Sequence, residues 1–194
     1  MSANARGLRV HVDIIEETGN AAPAAVFPPD DDTPDLRENA QQIEQTPAAR
    51  RHAPLRSFLA SVNGPESILA TGNIAIKSDL PSDVSSSAAQ EFASQIEIVF
   101  AVPSLNWERR HYVDFCSGLK ELLERDTSDA LRVVLKISRC DFRVEKRRGF
   151  CLAIRLVAEG SSEQQAELRW GLGLARLQQA LLFSSRALKQ QVGE

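Results

Sequence analysis

Between Leu131 and Leu156 the sequence alternates apolar and polar residues in three successive runs, a pattern that points to an antiparallel sheet. Leu131, Val133, Leu135 and Ile137 fall on one side, with Arg132 and Lys136 on the other. Cys140, Phe142 and Val144 then oppose Asp141, Arg143 and Glu145. A turn at Lys146-Arg147-Arg148-Gly149 leads into Phe150, Leu152, Ile154 and Leu156. This reads as a three-stranded meander with one buried and one charged face. Gln95–Val102 adds a fourth strand, with Ile96, Ile98 and Phe100 in phase and Pro103 stopping it.

Two helical patterns flank the meander. Trp107, His111, Phe115, Leu119 and Leu122 recur at helical spacing, while Glu108, Arg109, Lys120, Glu121 and Glu124 look outward. Ser104 or Asn106 can cap that helix. A longer, Leu-rich pattern starts at Ser161 or Ser162 and runs to about Gln191. Trp170, Leu174, Leu177 and Leu181 form its seam, widened by Leu168, Leu172, Leu182 and Phe183. Gly171 and Gly173 inside it imply a close backbone approach or a break into two helices. The predicted fold is α+β: a β-α-β-β-β-α sandwich, a four-stranded mainly antiparallel sheet with two helices on one face.

Composition divides the 194 residues near residue 88. Eight of nine prolines precede it and nine of eleven aromatics follow it, and the formal charge of −3 splits into −5 and +2. Residues 1–88 are therefore expected to be a mostly disordered, Pro-rich acidic arm, and 89–194 the compact domain. The stretch from Pro28 to Asp35, Pro-Pro-Asp-Asp-Asp-Thr-Pro-Asp, reads as a solvated linker or an acidic docking motif, and 78–89 as a polar hinge. Two short amphipathic segments interrupt the arm. Residues 8–15 alternate like a strand, which either joins the sheet or docks on a partner. Residues 54–62 place Leu55, Phe58, Leu59 and Val62 on one helical face, and Pro54 suits a first turn. A helix that short is unstable alone, so Leu55, Phe58 and Leu59 become candidate partner-binding residues.

Chemistry is sparse. His11, His52 and His111 are dispersed, and His111 and Cys116 point apart on their helix. Cys116, Cys140 and Cys151 are odd in number, lack a Cys-x-x-Cys pair and sit in apolar patterns, as small buried hydrophobes do. Gly171-Leu-Gly173 lies in a helical pattern rather than after a strand, which is the wrong context for a phosphate loop. The expectation is a non-enzyme without metal or cofactor. No apolar run approaches the roughly 20 residues that span a bilayer, and no apolar signal region follows the N-terminus. A cytoplasmic protein is expected, or one secreted by a non-Sec route.

The densest cationic stretch holds Arg143, Lys146, Arg147 and Arg148. It could serve a small ferredoxin-like nucleic-acid or ribosome-associated module, but Asp141 and Glu145 share its face and no aromatics interleave for stacking. The other readings are a solvated charged hairpin and an electrostatic protein-docking face. Trp170, Leu174, Leu177 and Leu181 are the candidates for a homodimer or partner-helix seam in a structural assembly subunit.

The ordering of Trp107–Arg125, Leu131-Arg-Val-Val-Leu135, Phe150-Cys-Leu-Ala-Ile-Arg-Leu156 and Glu163–Leu182 resembles the secretion-control proteins of type III export. These are the flagellar hook-length and injectisome needle-length, substrate-specificity-switch family. The family's Pro-Glu-x-Leu-Gly-x-Val turn is absent here, where Asp129-Ala-Leu-Arg-Val-Val runs straight on. At about 3.3 Å per residue the arm would reach roughly 290 Å fully extended, short for a ruler. The resemblance implies an accessory virulence regulator whose arm is secreted or docks. Its C-terminal domain would bind an export-apparatus component, such as the cytoplasmic domain of an export gate, and influence substrate selection.

Overall fold

The structure is a computed structural model that describes residues 10–17, 23, 25–28, 35–76, 90–125 and 131–192. In chain order the elements are β1 (His11–Glu16), β2 (Ala25–Phe27), a 3-10 turn (Ala40–Gln45), α1 (Pro47–Arg51), α2 (Ala53–Val62) and β3 (Leu69–Ile76). Then follow β4 (Gln90–Phe100), a second 3-10 turn (Pro103–Asn106), α3 (Arg109–Glu124), β5 (Leu131–Phe142), β6 (Arg147–Gly160) and α4 (Glu163–Val192). The sheet order is β1-β5-β6-β4-β3, with β2 also lying against β5. β3, β4, β6 and β5 run antiparallel in turn, while β1 and β2 are parallel to β5.

The mixed helix–sheet class is as expected, but the predicted four strands become six. One correction concerns the meander. Residues 131–142 form a single strand, so the predicted turn between Ile137 and Cys140 does not exist. The alternation changes phase there because burial changes face: Leu131 to Ile137 face the helices, and Cys140 and Phe142 face the opposite side. A second correction concerns residues 10–17 and 35–76, which are built into the fold. β1 pairs along β5 from His11↔Arg132 to Glu16↔Ile137, so the described part of 8–15 joins the sheet. β3 pairs antiparallel with β4, with a register shift between Thr71 and Ile74 where Gly72-Asn73 falls. The linker between Pro28 and Asp35 and the hinge 78–89 lie outside the described residues.

One layer of helices covers one sheet face. The expected pair is joined by α2, whose Leu55, Phe58, Leu59 and Val62 are fully buried with Ile96, Ile98, Leu152 and Ile154 in the main core. Buried polar bonds lock α2 in place. The Asn63 side chain accepts from Thr71 N at 3.0 Å and donates to Leu59 O at 2.8 Å. Ser185 Oγ on α4 accepts from Ile68 N at 2.8 Å. α4 is one unbroken helix of 30 residues. Its Gly173 admits Leu131, whose Cδ2 lies 3.0 Å from where a Cβ would stand, so close approach rather than a helix break explains the glycine. On α3 the buried stripe is Tyr112, Phe115, Cys116, Leu119 and Leu123, rotated from the predicted one. Glu108, not Ser104 or Asn106, occupies the cap position, because Asn106 is used elsewhere. Among the described residues no helix is long and apolar enough to cross a membrane.

Candidate docking cleft on the concave sheet face

The sheet face turned away from the helices is partly apolar at one end. Ala70 (β3), Val99 (β4), Cys140 and Phe142 (β5) and Cys151 (β6) are buried there, and Ala25, Phe27 and Trp107 pack against them. Phe27 sets the curvature. Its ring centroid is 6.1 Å from Phe142 on β5, yet its Cδ2 lies 3.3 Å from the position a Cβ on Gly72 would take. Gly72 belongs to β3, the last strand of the sheet, whereas β2 lies beside β5. One side chain touches both only because the sheet coils there, so this face is concave.

The concavity opens as a cleft of about 550 Å³. Phe27, Pro28, Ala70, Val99 and Phe142 supply apolar walls, and Val144, 78% exposed, stands at the lip. Asp35, Arg37, Glu38 and Glu145 lie on the rim. The Arg37 guanidinium is committed to the backbone, donating to Ser67 O at 2.8 Å and Leu69 O at 2.7 Å. The rim therefore presents three carboxylates and one engaged cation. That chemistry suits an apolar side chain with a lysine or arginine beside it.

The end wall is rigid. Asn106 Oδ1 accepts from Phe100 N at 2.9 Å and from the Tyr112 hydroxyl at 2.6 Å, and its Nδ2 donates to Phe100 O at 2.8 Å. Burial holds the Tyr112 hydroxyl well above the usual tyrosine range, so it stays a donor. Trp107 stands edge-on to Phe142 at 5.0 Å. Gly149 is required beside them: a Cβ there would lie 2.5 Å from Asn106 O and 2.9 Å from Trp107. On the same face, burial raises the Glu97 carboxyl above the ordinary carboxylate range, although Asn73 hydrogen-bonds to it.

The predicted site residues separate into two groups. Arg143, Lys146, Arg147 and Arg148 do come together at the β5–β6 turn, beside Val144 and Glu145 but outside the residues that line the cleft. Arg143 N donates to Phe27 O at 2.9 Å, and Lys146 takes the positive φ of 51° in the turn. Arg147 lies 4.7 Å over the Trp107 ring and Arg148 pairs with Asp141 at 3.3 Å. Two of the cations are thus used within the fold, which disfavours a phosphate-binding hairpin. Leu55, Phe58, Leu59, Trp170, Leu174, Leu177 and Leu181 are all core residues at 0–1% exposure, so none is presented to a partner. The helix at 54–62 is present as predicted, but its apolar face is satisfied internally. Sequence reasoning missed Phe27 and Glu38, while Asp35 ends the stretch read as a linker or acidic docking motif; the one signal for Phe27 was Ala25-Val-Phe27 before a proline, too short to register as periodic.

Titratable groups elsewhere serve packing. His52 Nδ1 lies 2.7 Å from Glu167 Oε1, with its ring edge-on to Phe92 and Trp170. His111 Nδ1 lies 3.1 Å from Leu105 O. Among the described residues no group of three His, Cys, Asp or Glu side chains could hold a metal ion. Comparison of the chain with protein families, curated proteins and solved structures yields no match.

Proposed function

We propose that this protein is a non-catalytic accessory regulator of bacterial type III protein export, acting by binding an export-apparatus component. The observation that carries the binding reading is the concave cleft, with apolar walls, a mainly acidic rim and a stiff end wall. The export assignment rests on the resemblance in layout, from Trp107 through β5 and β6 to the Leu-rich α4. Two parts of the chain build the cleft together: β2, Asp35–Glu38 and the start of β3 from the proline-rich half, and the ends of β4 and β5 with the turns that follow them from the aromatic-rich half. A regulator whose N-terminal segment responds to export would then have that segment coupled directly to its binding surface.

The test is titration of the full chain with the purified cytoplasmic domain of an export gate, read by calorimetry, beside secretion profiling of a strain lacking the gene. Binding weakened about 30-fold or more by Val144→Asp or Glu145→Lys, with altered substrate export in the deletion strain, is the expected result. Unchanged secretion together with absent binding would overturn it.

A further inference from the structure

Charge is sorted between the layers of this protein. Residues 168–192 of α4 contain Arg169, Arg176, Arg186 and Lys189 and no Asp or Glu. Residues 46–65, which hold α1 and α2, contain Arg50, Arg51 and Arg56, all exposed, and again no Asp or Glu. A chain of −3 overall therefore carries +7 in these two stretches and −10 elsewhere. α2 lies directly beside α4, with Gln178 donating to Ser61 Oγ at 2.9 Å.

The same face is apolar along its crest. Leu168 is 67% exposed, Leu172 57% and Phe183 64%. At about 100° per residue all three fall within a sector of about 60° on the side of α4 opposite Trp170, Leu177 and Leu181, and they span about 22 Å along the axis. Arg186 lies on this crest, Arg169 and Arg176 flank it toward α3, and Lys189 flanks it toward α2. Arg169 donates to Glu159 O at 2.7 Å, which fixes the side chain and leaves its charge in place. The carboxylates at the start of α4 turn aside: Glu163 and Glu167 sit about 140° and 100° round the helix from Leu168, and Glu167 meets His52. Glu66 lies 3.9 Å from Arg186, both exposed, and Asp114 and Glu121 on α3 are paired with Arg110 and Arg125.

An anionic occupant follows from that distribution, since a second copy would set cations against cations. Leu168, Leu172 and Phe183 select among anions. Nucleic acid offers phosphates but no apolar layer for these side chains. A bilayer surface offers phosphates at the level of the arginines and acyl chains just beneath, and it yields to side chains that stand out from a convex helix. We propose that the outer face of α4 rests on an anionic lipid surface, with Phe183, Leu172 and Leu168 entering the headgroup layer and the flanking arginines on lipid phosphates. α4 then lies along the surface and does not span it. The concave cleft, on the opposite face of the sheet, stays open, and the proposal does not depend on the export reading.

Co-sedimentation of the full chain with vesicles tests it. Vesicles of phosphatidylcholine with about 30 mol % phosphatidylglycerol should bind the protein at least about 10-fold more tightly than phosphatidylcholine alone, and salt should weaken that binding. Phe183→Asp, Leu172→Asp and the double variant Arg176→Gln/Arg186→Gln should each weaken it about 10-fold or more. The thermal midpoint of the two aspartate variants should match wild type, because both side chains are exposed. Absent binding, equal binding to both vesicle types, or binding indifferent to both aspartates overturns the proposal. Tighter binding of duplex DNA or polyglutamate than of the anionic vesicles at the same salt overturns it too, assigning the face to nucleic acid or to an acidic protein.

Discussion

Replacing Phe58 by alanine decides whether residues 35–76 belong to the core or only to an arm. Phe58 is fully buried in the main core between the sheet and α4, one helical turn from Leu55 and Val62, which are equally buried. Truncating a buried phenylalanine removes its transfer free energy and leaves a cavity, together about 3–5 kcal/mol. Against a typical domain stability of about 5–15 kcal/mol this is a large share. With a urea slope of about 2 kcal/mol/M, the midpoint should fall by roughly 1.5–2.5 M with no change in slope. The thermal midpoint should drop by about 6–20 °C, taking 2–4 °C per kcal/mol for a protein of this size.

Urea denaturation of the full chain followed by far-UV circular dichroism is the assay. Leu168→Ala, at a residue 67% exposed on α4, is the matched control and should stay within about 0.5 kcal/mol of wild type. A detachable recognition helix would give the reverse pattern, a Phe58→Ala protein as stable as wild type but deficient in binding. A midpoint within about 0.2 M of wild type would refute the placement of α2. The same reasoning predicts that a fragment of residues 89–194 unfolds without a cooperative transition, because it leaves the face of α4 that receives α2 bare.

Three further outcomes follow from buried polar groups. Ser94→Ala removes the acceptor of the Trp170 indole N–H, a bond of 2.8 Å between fully buried residues, and should destabilise the chain by about 1–3 kcal/mol in the same urea assay. Glu97→Gln should stabilise the protein at neutral pH. Burial raises the folded-state pKa of Glu97, so its ionised form weakens the fold as pH climbs through that value; below the ordinary carboxylate range of about 4.3 both states are protonated and the two proteins should converge. A constant gap across that pH range would contradict this origin. The thiols should resist labelling by a disulfide reagent at mildly alkaline pH until the chain unfolds, since burial pushes Cys116 up to about 12, and the hydrogen bond with Cys140 together with burial raises Cys151 far above the usual range. Stoichiometric labelling of native protein would show that the second core is open.

The parts of this fold legible in the sequence are those where burial follows a fixed period. β6 and the inner seam of α4 were visible because one face of each is buried along nearly its whole length. β5 was visible but divided, since a strand that changes its buried face midway produces the same phase break as a turn. Prolines misled most. Pro47 and Pro54 occupy first-turn positions of α1 and α2, where proline initiates helices, and counting them toward a disordered arm placed the helix at 54–62 outside the core to which it belongs. β3 was hidden by Gly72-Asn73, which resembles a turn but marks an irregularity in an edge strand. Periodicity also cannot tell which body buries an apolar stripe. Trp170, Leu174, Leu177 and Leu181 read correctly as a seam, but the body that buries them is this chain's own sheet and α2, while Leu168, Leu172 and Phe183 on the same helix are exposed.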